Sequence, residues 1–364
     1  MHCVGNSKGN LVEQKFSNDI DLIKTCLKIL SLKSIILYGG YGRNEGSWII
    51  DQDSNCRPYN DYDILLVVED KIPVEQIELL RKDLAKQIGI RWVDIGQKTP
   101  EKLKKLKPSI YTYDLKYASK VIQGDPGVLN LIPEIDATKL PLKEGETLFF
   151  TRLWTLLGSL DEKGFKVERK GEESRFFRNQ MAKAVLAVVD VLLLQKGAYH
   201  TSYKERVKRL INLYPEKRDL IKLSELSLEE KLFPKAPNMK ADDIEKLYQK
   251  VHHYFFCEMY KLLTKYYRRK IDNPMLIERH LKWGIINLLK RVGWIILRRN
   301  MNWEKRIAVN LAQCYIAAAY DKEQIDKNLL RRGIKYIKYL DASFPVGSSW
   351  DNARVRVAQL RMEV

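Results

Sequence analysis

The sequence predicts an α+β protein in two parts, a small mixed-sheet domain over residues 1–140 followed by an all-α helical domain over residues 141–364. Three observations carry that expectation. Two short apolar runs, Ile35–Leu37 and Ile64–Val68, are bounded by glycine and aspartate in the manner of strands. After Gly145, apolar residues recur at three- and four-residue spacing, the helical period, through seven successive segments. Charge divides at the same place. Residues 1–140 hold 20 Lys and Arg against 19 Asp and Glu, residues 141–364 hold 44 against 27, and nearly all of the net +18 therefore belongs to the second part.

Taken in order, Ser17 or Asn18 is placed to cap a first helix running to Leu30, with Ile20, Ile23, Leu27 and Leu30 on one stripe. The strand through Ile35, Ile36 and Leu37 then stops at Gly39-Gly40, where the chain must turn tightly. A short helix is expected from Tyr41 to Trp48, and a polar loop insertion from 49 to 60. Asp61 and Asp63 open the second strand, Ile64 to Val68. Pro73 starts a helix carrying Val74, Ile77, Leu80 and Leu84 that ends at Gly89. A third strand spans Ile90 to Ile95, with Val93 and Ile95 on one face and Asp94 on the other. Lys102–Lys107 reads as a basic, half-buried helix, and residues 110–123 lead to a stop at Gly124-Asp125-Pro126. The helical segments that follow are 146–160, 174–196, 202–213, 240–270, 275–299, 302–319 and 322–340, divided by proline breaks near 234–237 and 344–346.

Composition narrows the classes. With 364 residues the chain can bury two proper cores, and 45% apolar with 30% charged residues excludes an intrinsically disordered protein. Five cysteines without a CxxC pair indicate neither a zinc site nor a disulfide framework, which fits a reducing compartment. There is no basic-then-apolar leader pattern and no apolar run near the roughly 20 residues of a membrane span, so a cytoplasmic protein is expected. The basic second part is suited to an anionic partner: a triphosphate, nucleic acid, an anionic polymer or acidic lipid.

The chemistry gathers at Asp61 and Asp63. Residues i and i+2 of a strand share a face, so these two carboxylates stand side by side. Adjacent carboxylates repel unless a cation neutralises them, and hard oxygen ligands suit Mg²⁺. Gly39, Gly40 and Gly42 let the backbone approach a phosphate closely, and Arg43 can pair with one bidentately. A glycine turn beside a dicarboxylate is a site for phosphoryl or nucleotidyl transfer. Asp51 and Asp53 have the same spacing but lie in a Ser-, Asn- and Pro-rich stretch with no strand after it, and are read as loop residues. The glycines do not meet the dinucleotide pattern GxGxxG, because Gly46 falls one residue late.

An apolar strand, Gly39-Gly40, then Asp61-x-Asp63 at the head of a second strand resembles the nucleotidyltransferases of the DNA polymerase β superfamily. The wording from Gly39 to Glu45 is similar to the protein-modifying uridylyl- and adenylyltransferases of nitrogen control; the likeness covers about 35 residues of the 364. Several implications follow from the resemblance. Asp94, flanked by Val93 and Ile95, is implied as a third carboxylate. Two Mg²⁺ ions (or Mn²⁺) would be held by Asp61, Asp63 and Asp94, with Asp94 beside the acceptor hydroxyl, and an NTP would be the donor. Lys204 or Arg206, at the start of a helix capped by Ser202, is implied as a contact to the triphosphate. The acceptor is implied as a protein or a small molecule, while the basic helical part leaves RNA open. A metal-dependent glycosyltransferase also uses Asp-x-Asp, but there the apolar strand precedes the acids; here it follows.

Overall fold

In the computed structural model, residues 6–51, 54–283, 302–321 and 324–363 are described. The chain forms two compact units. One comprises Met1–Pro141 together with Lys196–Tyr214 and Leu228–Pro234; the other comprises Leu142–Gln195, Pro215–Ser227 and Lys235–Val364. Two segments that follow residue 141 thus pack with the sheet.

The first unit is organised by strand β1 (Ser34–Tyr38), whose Ile35, Ile36 and Leu37 are fully buried. Such a run, covered on both sides, is a central strand. β4 (Tyr62–Val67) and β6 (Lys120–Gly124) pair with it antiparallel, and β5 (Val93–Lys98) pairs parallel with β4, giving the order β5-β4-β1-β6. Alternation sorts the side chains. Ile35, Leu37, Ile64, Leu66, Val93 and Ile95 face helices α1 (Asn6–Leu27) and α3 (Val74–Ile88). Ile36, Leu65 and Val67 face the other way, onto Leu103 of α4 (Pro100–Lys104) and Leu115 of α5 (Ile110–Tyr117).

Four local expectations change. α1 begins at Asn6 rather than at Ser17 or Asn18, because Val12 and Phe16 extend the same apolar stripe one turn at a time. Directly after β1 there is one helical turn, α2 (Gly39–Gly42), and not a helix from Tyr41 to Trp48; Trp48 already belongs to β2 (Trp48–Ile50). The stretch read as a loop insertion is a hairpin, β2 pairing with β3 (Cys56–Pro58), whose apolar Trp48 and Ile49 are buried. β5 starts three residues later than expected because the amides of Gly89, at φ +83°, and Ile90 both close back onto the carbonyl of Ala85. The stretch 110–123 holds both α5 and β6.

In the second unit the helices are α6 (Lys143–Leu157), α7 (Gly171–Gln195), α10 (Ala241–Tyr267), α11 (Pro274–Trp283), α12 (Asn302–Ala318), α13 (Lys327–Leu340) and α14 (Trp350–Glu363), joined by most of α9 (Arg218–Leu232). α8 (Tyr203–Leu213) belongs to the first unit. α7 is apolar nearly all round and lies at the centre, as such helices do. Among its described residues the β pairing is a two-residue ladder, β7 (Tyr320–Asp321) with β8 (Gln324–Ile325), and an isolated bridge of Arg169 to Met239. Residues 284–299 of the apolar segment 275–299 lie outside the described residues. No described helix is long and apolar enough to cross a membrane.

Candidate active site

The strand registers bring the predicted acids together. Asp63 sits opposite Tyr38 of β1 on one side and opposite Asp94 of β5 on the other. Directly paired residues share a sheet face, so both carboxylates project from the α4/α5 side, and Asp61, two residues earlier, lies on that side too. Tyr62, between the two acids, points the opposite way. It is fully buried, its ring lies 4.3 Å from that of Tyr41, and its hydroxyl donates to Asp19 at 3.0 Å. That anchor holds the head of β4 so that the two acids flanking Tyr62 are presented together.

The electrostatics follow from this crowding. Asp63 is pushed up to about 7, first by burial and then by the charges of Asp61 and Asp94; Arg43 and Lys231 oppose the shift. Asp94 is raised as well, by burial foremost, with Arg81 opposing and Asp61 adding to it. The Arg81 guanidinium lies 3.5 Å from Asp94 and donates to the carbonyl of Ile95 at 2.6 Å. Tyr111 of α5 packs edge-on against Tyr38 at 5.8 Å, and its phenol is pushed up to about 12 by burial and by Asp94 and Asp63. A group of acids that raise one another in this way is poised to bind positive charge.

The glycine turn is fitted to Asp63. Gly39 has φ +65°, and a Cβ there would stand 1.8 Å from Oδ2 of Asp63, so only glycine lets the carboxylate rest against the turn. At Gly42 a Cβ would meet the carbonyl of Leu37 at 2.6 Å, since the turn folds back on its own strand. Gly40 is different: its nearest neighbour is the carbonyl of Glu45 at 3.4 Å, and the backbone does not demand glycine there.

Behind the turn is a polar network that motif reading did not anticipate as a whole. Arg43 donates to Asp114 at 3.1 Å, lies 3.6 Å from Glu45 and covers the ring of Tyr203 at 4.8 Å. Arg206, almost fully buried, donates to the same Asp114 at 3.2 Å and to the hydroxyl of Tyr199 at 2.5 Å. Asp114 is thus taken up by two guanidiniums and a phenol. Glu45 accepts from the hydroxyl of Ser202 at 2.7 Å and from the amides of Tyr203 and Lys204 at 2.8 and 3.3 Å. It therefore caps α8 in trans, satisfying donors that a helix start leaves open. Ser202 accepts from the amide of Glu205, but Glu205 pairs with Arg209. Lys204 is exposed on the first turn of this helix.

Lys231 is the residue sequence reasoning missed. It is 5% exposed, donates to the Ser47 hydroxyl at 3.0 Å, and its charge acts on Asp63. It stands at the end of α9 among Leu, Glu and Lys residues, and nothing in that wording sets it apart. Of the competing pair, Asp51 accepts from the amide and side chain of Asn55 at 2.8 and 3.1 Å in the β2–β3 turn, and Asp53 lies outside the described residues. Three histidines of the helical unit are in packing positions: His252 bonds the carbonyl of Ala317 at 2.9 Å, and His253 and His280 lie against Tyr254 and Tyr267.

The donor set fits a hard divalent cation. All three acids supply oxygen, and Asp63 is held above its usual range by burial and then by negative charge that a cation would relieve. Among the described residues no three His, Cys, Asp or Glu side chains are gathered closely enough to stand as a finished metal centre, and Arg81 is the cation at Asp94.

No protein-family model matches the chain, and no curated protein matches it. Among solved structures the chain is similar to the spectinomycin adenyltransferase AAD(9) from Enterococcus faecialis, crystallised with ATP and spectinomycin. The two are 12% identical, the match covers 66% of this chain and 98% of that chain, and the TM-score is 0.41.

Proposed function

We propose that this protein is a nucleotidyltransferase, moving a nucleoside monophosphate from an NTP to an acceptor hydroxyl with release of pyrophosphate. The observation that carries the reading is the register Tyr38–Asp63–Asp94, with the carboxylate of Asp63 seated against the left-handed Gly39. Asp63 and Asp94 are register partners beside the glycine turn, Asp61 lies on the same face two residues earlier, and among the described residues the ion pair at these acids is that of Asp94 with Arg81.

In this reading Asp61 and Asp63 would hold a divalent cation, which would supply charge neutralisation for the triphosphate. The glycine turn gives the phosphates close access to backbone. Lys204 on the first turn of α8 and Lys231 facing Asp63 add positive charge around the phosphate chain. Asp94 takes the acceptor's proton. The acceptor oxygen then bonds to the α-phosphorus as the bond from that phosphorus to the bridging oxygen breaks, and pyrophosphate leaves with the electron pair. Arg43 and Arg206 keep the turn and α8 in place through Asp114 rather than touching the nucleotide. The acceptor is a small molecule or a protein.

The test uses Asp61→Ala and Asp63→Ala. Each removes a shared ligand, and pyrophosphate release with Mg²⁺ should fall by several orders of magnitude while the circular dichroism stays unchanged. Activity within tenfold of the parent in either variant removes the site from the reaction.

A further inference from the structure

A second site lies in the helical unit, where α11, α12 and α13 meet. Two adjoining cavities of about 210 and 470 Å³ share Lys282, Tyr336 and Tyr339. The first is completed by Trp303 and Glu304 of α12, the second by Glu278 of α11 with Arg332 and Lys335 of α13. Aromatic rings and cations therefore line the same groove. We infer that this groove binds single-stranded nucleic acid, with bases stacked on its tyrosines and phosphates met by the cations of α13.

The groove is built before any ligand arrives. Glu278 accepts from the hydroxyls of Tyr315 and Tyr336, the latter at 2.5 Å, and from Lys282 at 3.1 Å, with Arg332 at 3.7 Å. One carboxylate thus orients two rings from two helices, and Tyr336 lies nearly parallel to Tyr315, 6.0 Å away. Two cations neutralise Glu278, so it does not repel an anion. Tyr339, one turn beyond Lys335, is 58% exposed, and nothing in the fold requires an open phenol ring there. Lys327, Arg331 and Lys335 are exposed at four-residue spacing, a row of cations separated by about 6 Å of helix rise.

The pairing of features selects the ligand class. Cations alone would fit any polyanion, and a bare aromatic face would fit an apolar partner. Stackable rings interleaved with cations fit a chain that carries both flat bases and phosphates. The sequence concealed this, because Trp303, Lys282 and Tyr339 are far apart in the chain and come together only when the three helices pack.

The test is fluorescence anisotropy on the full chain, with labelled oligo(U) and oligo(dT) of about 12 nucleotides, within the site sizes of known single-strand binders. Both strands should bind, more weakly as salt rises. Tyr339→Ala should weaken binding roughly tenfold, the loss of one stacked base. Lys335→Glu should weaken it further and flatten the salt dependence. Both positions are exposed, so thermal melting should match the parent. Asp61→Ala should bind as the parent does, which separates this site from the transfer reaction. Preference for RNA over DNA, or the reverse, supports the groove and names the strand. The inference is overturned if the parent does not bind, if both variants bind like the parent, or if inorganic polyphosphate competes equally and Tyr339→Ala has no effect.

Discussion

Replacing Asp63 with asparagine should stabilise the protein, and the gain should depend on pH in a defined way. Burial, and then the charges of Asp61 and Asp94, push the Asp63 carboxyl up to about 7 in the folded state from its ordinary 3.8. Between those values the folded protein holds a proton that the unfolded chain has released. Stability is therefore greatest below about pH 4 and falls as pH rises through 7, where the folded carboxyl must at last ionise beside Asp61 and Asp94. The full shift corresponds to about 4 kcal/mol at 1.36 kcal/mol per unit. Solvent near a partly exposed carboxylate screens some of this, leaving about 2 kcal/mol as the working figure. Asparagine keeps the shape and carries no charge. The melting temperatures of parent and Asp63→Asn should nearly coincide at about pH 4 and differ by about 5 °C in favour of the variant at pH 8, taking 2–4 °C per kcal/mol for a unit of this size. Scanning fluorimetry across that range measures the difference, and added Mg²⁺ should narrow it by stabilising the parent alone. A difference that stays flat with pH, or a variant less stable at pH 8, would refute the crowding of charge at this site.

Three further outcomes are expected. Asp94→Asn should lower single-turnover transfer by roughly 10²-fold or more, the range for a lost general base, while calorimetry shows NTP affinity little changed; the opposite pattern would place Asp94 on the nucleotide side. Gly39→Ala should abolish transfer and lower the melting temperature, because the new Cβ would overlap Oδ2 of Asp63 at a positive φ; normal activity would show that the turn is not fitted to the carboxylate. Asp114→Asn should cost about 3 kcal/mol in urea unfolding by leaving Arg43 and Arg206 without their shared anion, and a cost below about 1 kcal/mol would mean that the network does not hold the turn.

The strands and the acids were legible because local wording determines them. Two residues on one face of a strand, and a glycine pair at its end, have few other physical readings. The segment around Asp94 was placed on the right face although its strand began late, since alternation of Val93 and Ile95 survives a shift in the boundary. Other elements hid for stated reasons. α9 buries Ser224 and Ser227, which satisfy themselves on the carbonyls of Leu220 and Leu223 and so read as polar in sequence. α14 buries Arg354, whose guanidinium donates to the carbonyls of Leu157, Leu160 and Asp161, nearly two hundred residues away. The cap of α8 by Glu45 and the approach of Lys231 to Asp63 depend on the same kind of distant packing. Spacing within a motif cannot report such partners, and both bear on how the turn is held.

In nucleotidyl transfer the α-phosphoryl group leaves the NTP with its nucleoside, and the position of an isotope reveals this. Each NTP is supplied to the protein with Mg²⁺ and cell extract, labelled in one series at the α-phosphate and in a parallel series at the γ-phosphate. The α-label should appear on an acceptor and the γ-label in pyrophosphate, with both signals absent in Asp61→Ala. Transfer of the γ-label to an acceptor, or α-label incorporation that persists in Asp61→Ala, would contradict nucleotidyl transfer at this site.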